Sequence, residues 1–132
     1  MKLETHQAIN RTLCGEILEL RSGGSLVELR LVDDMQADST GLVHGGFVFG
    51  AADHAAMLAV NHPNVVLGSA EVRFMKPCRV GETLQFEARV EPSEGKKRKA
   101  SVVGHNAAGQ EVFSGTFVCF VMERHVLDSP PA

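Results

Sequence analysis

Hydrophobic positions along the chain follow two periods, and each change of period marks a boundary between predicted elements. Residues 14–20 and 25–31 alternate apolar and polar side chains on either side of a Gly-Gly turn, which predicts a β-hairpin. Residues 47–61 are apolar on nearly every face and include five alanines, so we predict a buried helix there. Strand-like composition returns after that helix and predicts four more strands, over about 65–76, 82–92, 97–107 and 110–122.

The order of these elements predicts an α+β fold. A helix that is apolar all round needs cover on every side, and a single curved antiparallel β-sheet wrapped around a long central helix provides it. We predict one domain over residues 1–132, with its core at about 12–122. Residues 123–132 are polar and carry two prolines near their end, which is typical of a flexible tail.

The predicted helix carries two features that are costly for a protein, one at its start and one in its middle. The turn His44-Gly45-Gly46 leaves backbone N–H groups of the first helical turn without partners, which suits an oxyanion or a phosphate. Asp53 lies on the otherwise apolar helix, where a carboxylate needs a partner, water or a shifted pKa. Together they indicate a donor site and an acid–base group that serve one reaction, with a purely structural Asp53 as the alternative.

Composition and charge argue against several classes of function. The formal net charge of −3 and the absence of Trp and Tyr argue against nucleic-acid binding. No apolar run approaches about 18 residues, and the first residues lack an apolar signal-peptide region, so neither a membrane span nor a signal peptide is expected. Three cysteines without CxxC spacing are typical of reduced thiols in a cytoplasmic protein. His44, His54 and His62 lack metal-ligand spacing, so we expect no metal.

Four sequence features resemble the hotdog-fold acyl-CoA thioesterase superfamily, and in particular its phenylacetyl-CoA-pathway type. They are the turn His44-Gly45-Gly46, the pair Ala52-Asp53 at the family's spacing, the helix end Ala59-Val60-Asn61, and Val72-Arg73-Phe74-Met75-Lys76-Pro77 followed by Val80-Gly81-Glu82-Thr83-Leu84. The resemblance covers about residues 12–122.

This resemblance implies an activity and an assembly. In the family, the N–H at the position matching Gly45 polarises a thioester carbonyl, and the acid matching Asp53 acts as general base or nucleophile. The site lies at the interface of a homodimer, the assembly is either that dimer or a homotetramer made of two dimers, and the substrates are acyl- or aryl-CoA thioesters. Coenzyme A is then part of the substrate, and no separate cofactor, metal, nucleic acid or membrane is implied.

The spacing of the two groups independently indicates a dimer. Gly45 and Asp53 are eight positions apart, which is about 12 Å of rise on one helix. Both groups must approach the same carbonyl within about 3 Å, so one helix cannot supply both. A second, antiparallel copy of the helix can, and two-fold symmetry then makes two equal sites.

Several other side chains are candidates for the site. His44 either fixes the donor turn or transfers a proton, and Gly46 either exposes an N–H or permits close packing. His54 is expected at an interface, where it could also line an acyl tunnel, and Met57 and Phe74 are core residues that could shape the acyl pocket.

Basic residues offer a contact for the phosphates of coenzyme A. The run of basic residues at positions 96–99 is either a phosphate clamp, acting through Lys97 and Arg98, or a solvated turn that keeps a sheet edge soluble. Arg73 and Lys76, on the strand after the helix, are weaker candidates for the same task.

Two other functions stay open on this fold. A non-catalytic acyl-CoA-binding or regulatory protein would keep the site without turnover, although the presence of Asp53 counts against it. A hotdog dehydratase or hydratase is less favoured, because His44 and Asp53 are only nine apart with no proline between them. A thioester on a carrier protein, rather than on free coenzyme A, also stays open.

Overall fold

One antiparallel sheet wraps around one long helix in the computed structural model, which describes residues 1–93 and 95–128. The strand order is β1-β2-β4-β5-β6-β3. In chain order the elements are helix α1 (Arg11–Cys14), strands β1 (Glu16–Arg21) and β2 (Gly24–Arg30), helix α2 (Gly45–Val60), and strands β3 (Val65–Phe74), β4 (Thr83–Val90), β5 (Lys97–His105) and β6 (Glu111–Val121). This is the predicted hotdog fold, and the six strands and the long helix lie within two residues of their predicted limits.

The core lies between α2 and the inner face of the sheet. The alanines of α2 are almost fully buried, and because their side chains are short the helix packs closely against β2, β4 and β5. Phe86, Phe113 and Phe117 fill the space beside it, and neighbouring rings meet edge-on or tilted. Burial of α2 on this face leaves another face of the helix, around Gly50 and Asp53, only half-buried.

Both ends of α2 are defined by local chemistry. The helix begins at Gly45 with His44 as N-cap, and it ends at Asn61, which adopts the left-handed conformation with φ of 49°. Asn61 also forms two side-chain hydrogen bonds to residues 1–10, which we call the N-terminal strap. Its Oδ1 accepts from the N–H of Glu4 at 2.8 Å, and its Nδ2 donates to the carbonyl of Lys2 at 2.9 Å.

The periphery is simpler. The outer strands of the sheet are β1 and β3, and β3 is exposed along most of its length. The predicted tail includes a 3-10 turn at Val126–Asp128, and residues 129–132 lie outside the described part.

The three cysteines are free thiols. Among the described residues, no helix is long and apolar enough to cross a membrane. The assignment of the whole chain to one domain stays a prediction.

Candidate active site

The donor turn forms as the sequence predicts. The N–H of Phe47 donates to the carbonyl of His44 at 3.1 Å, whereas the N–H groups of Gly45 and Gly46 have no backbone acceptor among the described residues. They project from the positive end of a sixteen-residue helix. The turn can therefore stabilise an oxygen atom that carries negative charge.

Neighbouring rings approach both glycines of this turn. A Cβ on Gly46 would lie 2.9 Å from the ring of His44, and one on Gly45 would lie 3.4 Å from the ring of Phe74, which is an ordinary contact. The His44 ring is exposed, makes no capping hydrogen bond, and lies edge-on to Phe47 at 6.2 Å between centroids. The contact with Gly46 fits a role in shaping the turn, and proton transfer by His44 stays a prediction.

Asp53 occupies an environment that favours its neutral form. Its Oδ1 is buried without a hydrogen-bond partner in the described part of the chain. Burial raises the pKa of the Asp53 carboxyl to about 6. The Asp53 charge in turn adds to the burial that raises the pKa of the thiols of Cys14 and Cys119, so both thiols lie close by. A carboxylate held in this way accepts a proton more readily than an exposed one does.

The donor turn and Arg98 stay far apart within one chain. Gly45 contacts Phe74, which pairs in register with Phe113 on β6, whereas Arg98 pairs with Cys119 on the same strand. Six residues of β6 separate these pairs, which is about 20 Å. Arg98 therefore does not lie beside the donor turn of its own chain.

Predicted site residues that are adjacent in sequence point to opposite faces of the sheet, because side chains alternate along a strand. Lys97 is exposed on the outer face of the sheet, whereas Arg98 is half-buried on the inner face together with Ala100. Arg73 points to the outer face, opposite Ser114, while Phe74 points inward. The prediction that Phe74 is a core residue is wrong, because Phe74 lies at the end of β3 and is 53% exposed. Lys97 and Arg98 thus do not form one compact clamp within the chain, and neither does Arg73 join them.

His54 and Met57 are deeply buried, each 1% exposed. The Nδ1 of His54 lies 3.0 Å from the carbonyl of Cys14, and its ring stacks on His6 with 6.3 Å between centroids. Contact of either residue with an acyl group stays a prediction.

A small cavity adjoins the donor turn. It has a volume of 170 Å³ and is lined by Val43, Gly45, Val48, Phe74, Lys76, Pro77 and Cys78. Lys76, a weaker candidate for a phosphate contact from the sequence, lines this cavity and brings a positive charge to it. A larger depression of 590 Å³ lies on the outer face of the sheet, away from α2, so it is not part of this site. No group of three or more His, Cys, Asp or Glu side chains suited to a metal occurs within residues 1–93 and 95–128.

Comparison with known proteins gives the class. A family model described as the thioesterase superfamily matches residues 40–113, which is more than half of the chain. This protein belongs to that superfamily, and its hotdog fold agrees with the match.

Individual relatives carry several names. A crystal structure of an uncharacterized protein from Pyrococcus horikoshii is 47% identical, with a TM-score of 0.94 over 97% of this chain and 98% of that one. A methylthioribose-1-phosphate isomerase of Aquifex aeolicus is 47% identical over 89% of this chain, but only 25% of that protein is matched. The transcription factor FapR of Bacillus cytotoxicus is 28% identical over 80% of this chain and 54% of its own length. The chain spans a quarter to about half of these two curated relatives.

The fold also occurs with a bound coenzyme A derivative. A Streptococcus mutans protein bound to acetyl-CoA has a TM-score of 0.79 over 92% of this chain and 98% of that one, at 23% identity. At that identity the likeness concerns the fold.

Proposed function

We propose that this protein is an acyl-CoA thioesterase whose active site forms between two copies of the chain. One observation carries the proposal: a single helix bears both an unpartnered donor turn at Gly45 and a buried, unpartnered carboxyl at Asp53. These are the two groups that thioester hydrolysis needs, and they are too far apart on one helix to act on one carbonyl.

A two-fold axis beside the middle of α2 resolves this separation. Positions 45 and 53 are symmetric about position 49, so an antiparallel second helix brings the partner's Gly45 towards Asp53. The same operation brings the partner's Phe74 towards Arg98, because these residues lie at opposite ends of the sheet in one chain. Half-burial of the α2 face around Gly50 and Asp53 supports a partner on that side.

The chemistry follows from the two groups. The thioester carbonyl oxygen accepts a hydrogen bond from the N–H of Gly45, which stabilises the negative charge that develops there. In one route, Asp53 accepts a proton from water as the water oxygen bonds to the carbonyl carbon. The carbon–sulfur bond then breaks, and the thiolate leaves and is protonated. In the other route, Asp53 attacks the carbonyl carbon directly, the carbon–sulfur bond breaks and the thiolate leaves, and water then cleaves the resulting anhydride to release the acid and regenerate Asp53.

Recognition of coenzyme A is assigned to basic side chains near the site. Arg98 on the inner face offers charge to the phosphates, whereas Lys97 points to the outer face, and acetyl-CoA binds another protein of this fold. The apolar cavity beside Gly45 and Phe74 is a candidate for part of the acyl site. The phenylacetyl type of substrate and the homotetramer stay predictions.

The test is thiol release from a panel of acyl- and aryl-CoA thioesters by wild type and Asp53→Asn. We expect turnover by wild type and a loss of at least about 100-fold in kcat in the variant. Wild-type kcat/KM should rise as pH passes through about 6, because only ionised Asp53 can accept a proton or attack.

Asp38→Asn is the matched control, because Asp38 is an exposed carboxylate in the loop before α2. This control should keep wild-type kcat. Equal turnover by wild type and Asp53→Asn would remove Asp53 from the mechanism, and no turnover on any ester would overturn the thioesterase assignment.

A regulatory acyl-CoA-binding protein is the second candidate function. The observation that favours it is the match to FapR, a transcription factor, over 80% of this chain. Tight binding of acyl-CoA in calorimetry, with no thiol release from any ester of the panel, would move the assignment to this candidate.

A further inference from the structure

The buried surface of α2 combines short and long apolar side chains. Five of its nine buried residues are alanines, and Val48, Met57 and Leu58 are buried beside them. These apolar contacts pack the helix closely, but the hydrophobic effect is non-directional. Directional bonds to α2 therefore add a separate constraint on its rotation about its own axis.

Two buried polar contacts provide directional bonds between α2 and the elements around it. The hydroxyl of Ser25 on β2 donates to the carbonyl of Ala55 at 2.6 Å, and Ser25 is fully buried. The Nδ1 of His54 lies 3.0 Å from the carbonyl of Cys14, at the end of α1. These contacts anchor the two residues that directly follow Asp53, one to β2 and one to the segment before β1.

The contact between His54 and the Cys14 carbonyl leaves the other ring nitrogen of His54 buried without a partner. A carbonyl can only accept, so the Nδ1 of His54 carries the proton and the neutral ring leaves Nε2 as an acceptor. That Nε2 is buried without a hydrogen-bond partner among the described residues. His6 of the N-terminal strap stacks on the ring at an interplanar angle of 20°, and Thr5 holds His6 through a 2.8 Å contact between Oγ1 and Nδ1.

We propose that His54 and Ser25 are positioning residues that set the rotation of α2 and so aim the Asp53 carboxyl at its substrate. This assignment rests on the proposed function only for the identity of the reaction. A carboxyl carried about 6 Å from a helix axis moves by roughly 2 Å when the helix rotates by about 20°. Displacements of about 1 Å already lower turnover strongly in enzymes, so such a rotation would disable the site.

The ionisable groups around these contacts are few. The thiols of Cys14 and Cys119 lie near Asp53, and His6 faces His54 from the strap. Burial and the nearby charge of Arg11 lower the pKa of His54, while the Cys14 carbonyl and Glu16 oppose that change. These groups are unchanged in the variants below, apart from His54 itself.

The experiment removes each contact and measures the titration of Asp53 directly. Asp53 is followed by ¹³C NMR of its carboxyl group in wild type, His54→Leu and Ser25→Ala, and kcat and KM are measured on the same samples. We expect the wild-type carboxyl to titrate near pH 6. In both variants rotation towards water should lower that midpoint by about one pH unit, and kcat should fall by about tenfold or more with little change in KM.

Two further variants separate positioning from stability. His54→Asn keeps an N–H donor where Nδ1 stands, so it should restore the wild-type midpoint and much of kcat. Val102→Ala shortens a buried side chain on β5 that makes neither contact, and it should lower the thermal midpoint while leaving the Asp53 titration unchanged.

The outcomes separate this inference from the proposed function. A shifted Asp53 midpoint in His54→Leu and Ser25→Ala supports positioning even if wild type hydrolyses no ester, in which case only the proposed function fails. An unchanged midpoint in both variants overturns the inference. An equal shift of the Asp53 midpoint in Val102→Ala also overturns the inference. The same holds if the Asp53 midpoint and kcat of His54→Asn match those of His54→Leu.

Discussion

Asp53 shows how one residue can serve chemistry at the expense of stability. The rest of α2 is apolar, and the carboxyl oxygen Oδ1 finds no partner within the described chain. An unfolded chain would hydrate this carboxyl fully, so folding makes its ionisation harder. The same environment that makes Asp53 a better base therefore lowers the free energy of unfolding at neutral pH.

Replacement of this acid should stabilise the protein above pH 6. The pKa of Asp53 is about 6 in the folded protein and about 4 in an unfolded chain. Because the folded pKa is the higher one, stability is lost as pH rises through this window, by roughly 3 kcal/mol at most. We expect Asp53→Asn to raise the free energy of unfolding by about 1–3 kcal/mol at pH 8 and by much less at pH 4, measured by urea denaturation.

Asp38→Asn serves as the control for that measurement. Hydrogen bonds from Thr40 lower the pKa of the Asp38 carboxyl, which is the opposite direction. This variant should not stabilise the protein at pH 8. A gain for Asp53→Asn that is the same at pH 4 and pH 8 would contradict the linkage.

Strand β5 shows how one element divides a charged run between two surfaces. The basic residues at 96–99 are consecutive in sequence, but alternation along β5 sends Lys97 and Lys99 outward and Arg98 inward. Arg98 also donates to the carbonyl of Gly95 in the turn before the strand and to that of Lys97, the first residue of β5, which orders its side chain. Of the three basic residues on β5, Arg98 is the one on the α2 side of the sheet.

Charge reversal at these positions should therefore have unequal effects. Arg98→Glu should raise KM for CoA esters by about tenfold, through loss of a charge-assisted contact, and leave KM for pantetheine esters nearly unchanged. Lys97→Glu, on the opposite face, is the matched control and should have a smaller effect. Equal changes for both kinds of ester would refute a phosphate contact at Arg98.

At the scale of the whole molecule, one face of α2 is only partly covered by the rest of the described chain. Gly50 lies on the half-buried face of α2, and a Cβ added there would meet no atom within 4 Å. An antiparallel pair of helices with Gly45 near the partner's Asp53 would cross close to this point. Within one chain Gly50 has room for a side chain, so any demand for glycine there comes from a partner.

Gly50→Leu should consequently disrupt assembly without unfolding the chain. Leucine favours a helix over glycine by about 0.5–1 kcal/mol, so the monomer should be no less stable. We expect light scattering with size-exclusion chromatography to show a smaller particle than wild type, and thiol release to be lost. Ala107→Leu, in the exposed turn between β5 and β6, adds the same kind of side chain and should change neither. An active, fully dimeric Gly50→Leu protein would refute a helix crossing at Gly50, and an active monomeric one would refute the shared site.

Much of the fold could be predicted from local sequence patterns. Alternation predicted the strands to within two residues, and the Asn61-His62-Pro63 sequence predicted where α2 ends. The glycines at 45 and 46 predicted a bare helix start, and that start is present. These predictions succeed because each depends on residues that are neighbours along the chain.

The faces of the strands and the surroundings of single side chains came from the tertiary structure. Sequence spacing grouped Lys97 with Arg98, but the register of β5 against β6 decides which of them faces α2. The contacts of His54 with Cys14 and His6 join residues about 40 or more positions apart, and no local pattern reports them. Likewise, the composition of α2 placed an acid on an apolar helix, but only the packed neighbours of Asp53 determine that its pKa rises. The residue types and their periods determine the elements, whereas long-range packing decides what each functional group touches.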